Sequence, residues 1–463
     1  MKGLSDTSAS GNDPRLLRPD AARQAGMRRL LGAAVALLAA VAAIQVWQAW
    51  DELNTSGMDL QQDYIAAQRM RHNDDLYRPF TAQEIASLGV REELGVGMRE
   101  NAHPPPAVAL FLPLTWLPYP IVTFGWTLAS VGLLWLVTIR LIQALALPVD
   151  GLWRWLGLCL LVSWYPVWQH LHVGQWTIPL FALIVAAWLC LRTGRDGWAG
   201  VLIGLAILLK IYPVLLLGYP LLARRWRAIL AAGAVCLVVV LLQTLIYPEH
   251  WPRYLSYGAP HNAAVWVPNS RNASLISLGY RLFTGSNEVR PALPLPWAEP
   301  LMRGLVSAAV LGSFAWLVWR LRRQPDLDGA VSLAICLMVL LSPISWDHAF
   351  IFLLLPLGYV WQQTRAHSGP WRRAPAVLAA TALLLSLVPM ELIFADLKRA
   401  YLPELMPPWV GLLIPSTAGM TCVYLAVWLT VRWRLANADA TAESVDAGRS
   451  SRSAAEPVNS RLS

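Results

Sequence analysis

Four groups of polar residues, set in an otherwise apolar chain, have types and spacings that can do chemistry. Asp59 and Asp63 lie four apart in Met58-Asp59-Leu60-Gln61-Gln62-Asp63-Tyr64. On a helix they share a face, and two carboxylates directly after an apolar block suit a general base that takes a proton from a hydroxyl. The plainer alternative is a solvated acidic loop opened by an N-cap aspartate. The corner Ser342-Pro343-Ile344-Ser345-Trp346-Asp347-His348 places an acid beside an imidazole between two apolar stretches. Ionisable groups at such depth are costly and tend to be functional, although an interfacial cap has the same composition. Lys210 interrupts the apolar run from Leu205 to Leu217. It either snorkels to headgroups or holds a phosphate as a point charge. His170-Leu171-His172 ahead of Gly174-Gln175 resembles a metal-ligand pair only superficially, because no carboxylate or cysteine is close in sequence. Asn272-Ala273-Ser274 matches a glycosylation sequon, a pattern common by chance, and equally suits a polar pocket.

The elements that must position these groups are membrane helices. Of 463 residues, 56% are hydrophobic and only 14% charged, with 24 Trp. A soluble chain carries about a quarter charged residues, so most of this surface faces lipid. The apolar residues come in blocks near twenty long, the length that crosses ~30 Å of hydrocarbon, and the alternating ten-residue strands of a β-barrel are absent. The expected class is an all-α integral membrane protein with about 10–13 transmembrane or half-membrane helices, by composition and block length. The net charge of +9 is not a nucleic-acid footprint. Arginine gathers in short clusters between apolar blocks (Arg28-Arg29, Arg224-Arg225 with Arg227, Arg372-Arg373), as cytoplasmic loops do under the positive-inside rule. The five cysteines all lie inside apolar blocks and read as small core residues, with neither a disulfide framework nor a zinc site indicated.

Three divisions follow: a cytoplasmic tail over 1–28, a membrane domain over 29–433, and a disordered cytoplasmic tail over 434–463. The first apolar block, Leu30 to Trp50, is too long for a signal-peptide core and reads as a retained helix. With the amino terminus inside, 51–105, 248–298 and 394–408 become outer segments. The first of these carries ten acidic side chains against five arginines, the opposite balance to the inner loops. Arg195 and Arg224 both belong inside. The stretch between them is therefore a broken hairpin, interrupted at Lys210-Ile211-Tyr212-Pro213, each half too short to cross. Block 106–117 is likewise expected to dip into the outer half of the bilayer.

Read in order, Asp59-Leu60, Asp63-Tyr64, Ala66-Ala67, Leu76-Tyr77, His103-Pro104-Pro105, Gly174-Gln175, Gly200 to Ala206 with Lys210 and Pro213, Asn272-Ala273-Ser274-Leu275 and the Trp346-Asp347-His348 corner form a series. That series resembles the GT-C membrane glycosyltransferases, and among them glycosyltransferase family 87, which includes polyprenyl-phosphate-mannose-dependent α-1,2-mannosyltransferases. Three positions depart from the family pattern: Ala273 stands for Gln, Ala349 for a second His, and Asp63 for an aromatic residue. The resemblance implies a GT-C fold in an inner membrane with its site on the extracytoplasmic side. It implies a polyprenyl-phosphate sugar donor, most simply of mannose, and a lipid or glycan acceptor. Asp59, or Asp63, becomes the base. Lys210 and His348 meet the departing phosphate, with Asp347 orienting the His348 ring. His103, Gln175 and Asn272 join the substrate-binding set. The partners are these substrates and membrane lipids, with no nucleic acid. No cofactor is required if these cations stabilise the phosphate, although some GT-C relatives use a metal. An arabinofuranosyltransferase of the same fold, a polytopic transporter and a non-catalytic scaffold subunit are the competing readings.

Overall fold

The computed structural model describes residues 18–56, 58–89, 100–149, 151–286, 288–322, 326–367, 369–401 and 404–454. Most of the expected amino-terminal tail and the last nine residues of the expected carboxy-terminal tail lie outside them. Among the described residues the chain is helical, with an isolated bridge between Val289 and Met406 in place of any sheet. Gly26–Thr55, Tyr119–Ala144, Trp226–Ile246, Ala298–Arg320 and Pro408–Ala438 are long and apolar enough to cross a bilayer. Tyr165–Val173 and Thr177–Arg192 pass the same test as a pair bent by 117°. Helices close all their backbone hydrogen bonds within the segment, which is what hydrocarbon demands.

The shorter apolar elements are the ones that build the interior. Block 106–117 forms two brief turns, Pro105–Ala109 and the 3-10 helix Leu112–Trp116, as its length required. Leu327–Leu340 is buried at every position from Gly329 to Leu340. A helix apolar all round has to be wrapped on all sides, and this one carries the Ser342–His348 corner at its carboxy-terminal end.

The predicted broken hairpin takes a definite form. Asp196–Leu209 ends at Lys210, whose backbone is extended (φ −147°, ψ 135°), and the chain turns back through the 3-10 helix Tyr212–Leu217 and Gly218–Leu222. Pro213, lacking an N–H, cannot continue the first helix. Trp226–Ile246 then runs parallel to Asp196–Leu209. Gly200 sits on Ala228 and Gly204 on Ala232, so close that a Cβ on Gly200 would lie 2.1 Å from the Ala228 carbonyl oxygen, and one on Gly204 2.9 Å from that of Ala232. Small residues four apart are how membrane helices reach such contact.

At the far ends of these helices, acid–cation ties hold the bundle. Asp196 pairs with Arg225 at 2.9 Å, and Asp326 accepts from Tyr359 at 2.6 Å while pairing with Arg434 at 2.6 Å. The last helix spans Pro415–Ala454, so its final turns extend into the polar stretch that composition marked as a tail.

After the first crossing, the helix Met58–Arg71 packs its Leu60, Ile65 and Ala66 face inward. Arg69, buried at its end, donates to the carbonyls of Asp75, Arg78 and Pro79 and to both carboxylate oxygens of Glu84. One guanidinium thus fixes the fold of the loop that follows, and these bonds hold the Glu84 carboxyl down at about 2.

Candidate active site

Asp59, His103, Gln175, Lys210, Asp347 and His348 line one chamber of about 530 Å³. Gly174 begins its construction. It adopts the left-handed region (φ 73°, ψ 45°) between the two bent helices, and a Cβ there would lie 2.4 Å from that of Leu60. Only glycine lets the turn press against Met58–Arg71, and that contact delivers Gln175 to Asp59. The Gln175 side-chain amide donates to Asp59 Oδ2 and accepts from Lys210 Nζ at 2.8 Å. Asp59 Oδ1 accepts from Gln62 at 2.7 Å. An acid, an amide and a cation from three separate elements therefore form one hydrogen-bonded row along the chamber wall. Burial pushes the Asp59 carboxyl above the ordinary carboxylate range, against the opposing pull of His103 and Lys210, and the nearby Asp63 adds to the rise.

Asp63, one turn further on, is fully buried and does not line the chamber. Its oxygens are taken by His103 Nδ1 at 2.7 Å and by the Trp176 indole N–H at 2.8 Å. His103 does line the chamber. Asp63 therefore acts on it through His103, and of the two carboxylates Asp59 is the one that reaches the cavity.

His348 lines the same chamber, with Nδ1 held by Thr177 Oγ1 at 2.8 Å and its backbone N–H by Gln169 at 2.7 Å. Its Nε2 has no hydrogen-bond partner among the described residues. The ring is oriented by Thr177, where the sequence pointed to Asp347. Asp347 also lines the cavity, but its carboxylate accepts from Ser416. Asn272, expected among the residues that read sugar hydroxyls, lies outside the lining. Its Nδ2 donates to the carbonyls of Trp266, Val267 and Pro343, and its Oδ1 accepts from the N–H groups of Ser274 and Ser345. It clamps the corner to the outer segment, and Ala273 N–H bonding to Ser345 O at 2.7 Å reinforces the clamp.

The sequence reading does not single out Arg271 or Gln169, both of which line the chamber. Arg271 projects into the chamber with its guanidinium 6.0 Å from the Trp346 ring centroid and 5.6 Å from that of Phe394. Arg271 had a signal: unlike the arginines of the inner clusters, it stands alone on an expected outer segment beside the Asn272 motif. His170 and His172 do not converge on a ligand set. His172 stacks on Trp168 at 4.2 Å, and among the described residues no three His, Cys, Asp or Glu side chains gather as metal ligands would.

The fold is that of a multi-pass helical membrane protein, and its chamber gathers the acid Asp59 with Lys210 and Arg271. Residues 101–343, just over half of the chain, match glycosyltransferase family 87, and the chain belongs to that family. It is similar to the polyprenol-phosphate-mannose-dependent alpha-(1-2)-phosphatidylinositol mannoside mannosyltransferase of Mycobacterium tuberculosis, 28% identical over 61% of this chain and 65% of the relative. It is also similar to the polyprenol-phosphate-mannose-dependent alpha-(1-2)-phosphatidylinositol pentamannoside mannosyltransferase of Mycolicibacterium smegmatis, 27% identical over 54% of this chain and 58% of the relative. The chain thus spans about three fifths of the length of the curated relatives it matches. Among solved structures, ArnT from Cupriavidus metallidurans bound to undecaprenyl phosphate aligns over 86% of this chain and 76% of its own, at 15% identity and a TM-score of 0.34.

Proposed function

We propose that the protein is an inverting glycosyltransferase that moves a sugar, mannose in the simplest case, from a polyprenyl-phosphate donor to a hydroxyl of a lipid or glycan acceptor. The chamber is assigned to the extracytoplasmic face of an inner membrane. The observation that carries this reading is the row Asp59–Gln175–Lys210, which places a carboxylate of raised pKa and an ammonium at the two ends of one amide. Family membership and the donor named for the mannosyltransferase relatives support it.

In this mechanism Asp59 takes the proton of the acceptor hydroxyl as the oxygen attacks the anomeric carbon from the face opposite the phosphate. The new carbon–oxygen bond forms while the bond to the phosphate oxygen breaks, so a β-linked donor yields an α-glycoside. Polyprenyl phosphate departs toward Lys210 and the Nε2 face of His348. Preorganised charges and hydrogen-bond donors aimed at developing charge supply much of the rate enhancement in such a site. Arg271 is the added cation of the same chamber, lying against the Trp346 and Phe394 rings.

The test is a donor screen. Membranes containing the protein are supplied with several polyprenyl-phosphate sugars and the products weighed. Transfer from a mannose donor that disappears in the Asp59→Asn protein is the expected result. Transfer only from an arabinofuranose donor reassigns the sugar, and transfer unaffected by Asp59→Asn removes the proposed base.

A further inference from the structure

A second cavity, of about 600 Å³, lies outside the chamber. It opens where Asp196–Leu209 stops and Trp226–Ile246 continues. The two helices touch at Gly200 and Gly204, and beyond Leu209 only the longer one remains. Leu208, Leu209, Val239 and Leu242 line the gap, and Pro106 and Leu110 close it from the other side. The walls are aliphatic apart from Tyr247 and Gln243. Gln243 faces the cavity, is only 7% exposed, and neither its Oε1 nor its Nε2 has a hydrogen-bond partner among the described residues. A buried primary amide left unsatisfied among leucines is strongly unfavourable, so the groove is complete only when an occupant brings a polar atom to it.

We propose that this groove seats the acyl-ester region of a bilayer glycerophospholipid, with an ester carbonyl accepting from Gln243 Nε2. A polyprenyl chain carries only carbon and hydrogen along its length, and would fill the leucine walls while leaving the amide unmet. An acyl ester offers apolar chain and hydrogen-bond acceptor together. Access comes laterally from the membrane. The same helix presents Leu237, Val238, Leu241 and Leu245 outward, each more than half exposed, so the groove opens on a lipid-facing flank where glycerophospholipid is the abundant solute. The seated lipid braces the helix that ends at Lys210 and the turn that follows His103. It takes no part in the transfer chemistry.

The test compares two probes on the purified full-length protein by native mass spectrometry: a diacyl phosphatidylglycerol and its dialkyl-ether analogue, which lacks the ester carbonyls. Wild-type protein retains the diester roughly fivefold better, the ratio expected of one hydrogen bond. Gln243→Leu, similar in volume, loses that preference, and Leu208→Trp, which fills the groove, loses retention of both. Equal retention of diester and diether by wild type, or unchanged discrimination in Gln243→Leu, overturns the proposal. Displacement of the diester by stoichiometric polyprenyl phosphate in wild type also overturns it, assigning the groove to the donor chain instead.

Discussion

His103 Nδ1 lies 2.7 Å from Asp63 Oδ1, and that contact divides the labour between two acids that the sequence set on one helical face. Asp63 is spent on holding a ring and an indole, which leaves Asp59 to face the chamber.

Asp59→Asn is therefore expected to lower turnover by about 10²–10⁴-fold, the range for losing a positioned general base, with little change in thermal stability. Asp63→Asn keeps one acceptor but loses a buried charged partner, so its main effect is a lower melting temperature. Turnover assays paired with thermal unfolding in detergent separate the two, and the reverse pattern would move the base to Asp63.

The pH dependence follows from the sign of the Asp59 shift. A base works deprotonated, and burial raises this carboxyl, so activity falls as pH drops through a value above the ordinary carboxylate range. Lys210 opposes the rise. Lys210→Met thus moves the acid limb to still higher pH, apart from whatever it does to the plateau. A limb that stays put in Lys210→Met would show that the two groups are not electrically coupled.

How much of this was legible beforehand depended on whether the signal is local. Apolar block lengths define the helices, and Pro213 after Lys210 marks the break, because both act within one or two turns. The Trp346-Asp347-His348 corner stood out because polar residues are conspicuous against leucine. The partners of those residues were hidden. Thr177 meets His348 from 171 positions away and Gln175 meets Asp59 from 116, and nothing in either neighbourhood names the other. Asn272 reads as a sugar-binding residue for the same reason: its five main-chain bonds reach as far as Pro343 and Ser345. Propensity and periodicity carry no information about such pairings.

The parallel helix pair makes a graded prediction. A methyl on Gly200 collides with the Ala228 carbonyl at 2.1 Å, whereas on Gly204 the nearest approach is 2.9 Å. Gly200→Ala should destabilise by about 1–3 kcal/mol, as overpacking does, and Gly204→Ala by less. Denaturation in mild detergent ranks them, and the opposite order would mean that the helices slide apart without loss.

Sidedness can be read with single cysteines in a background lacking the native five. The exposed positions Asp74 and Asp396 should react with a membrane-impermeant maleimide from the extracytoplasmic side, and Arg195 only after permeabilisation. Labelling of Asp74 and Asp396 from opposite sides would break the proposed topology.

The amide between Asp59 and Lys210 has a consequence in time as well as in space. While the site waits, the ammonium has a carboxylate as counter-ion one amide away. When Asp59 accepts the acceptor's proton, that negative charge vanishes, and the lysine is left with its attraction unshared just as the phosphate gains its second charge. One proton transfer would thereby hand a cation from the base to the leaving group, so that neither end of the row is discharged ahead of the other.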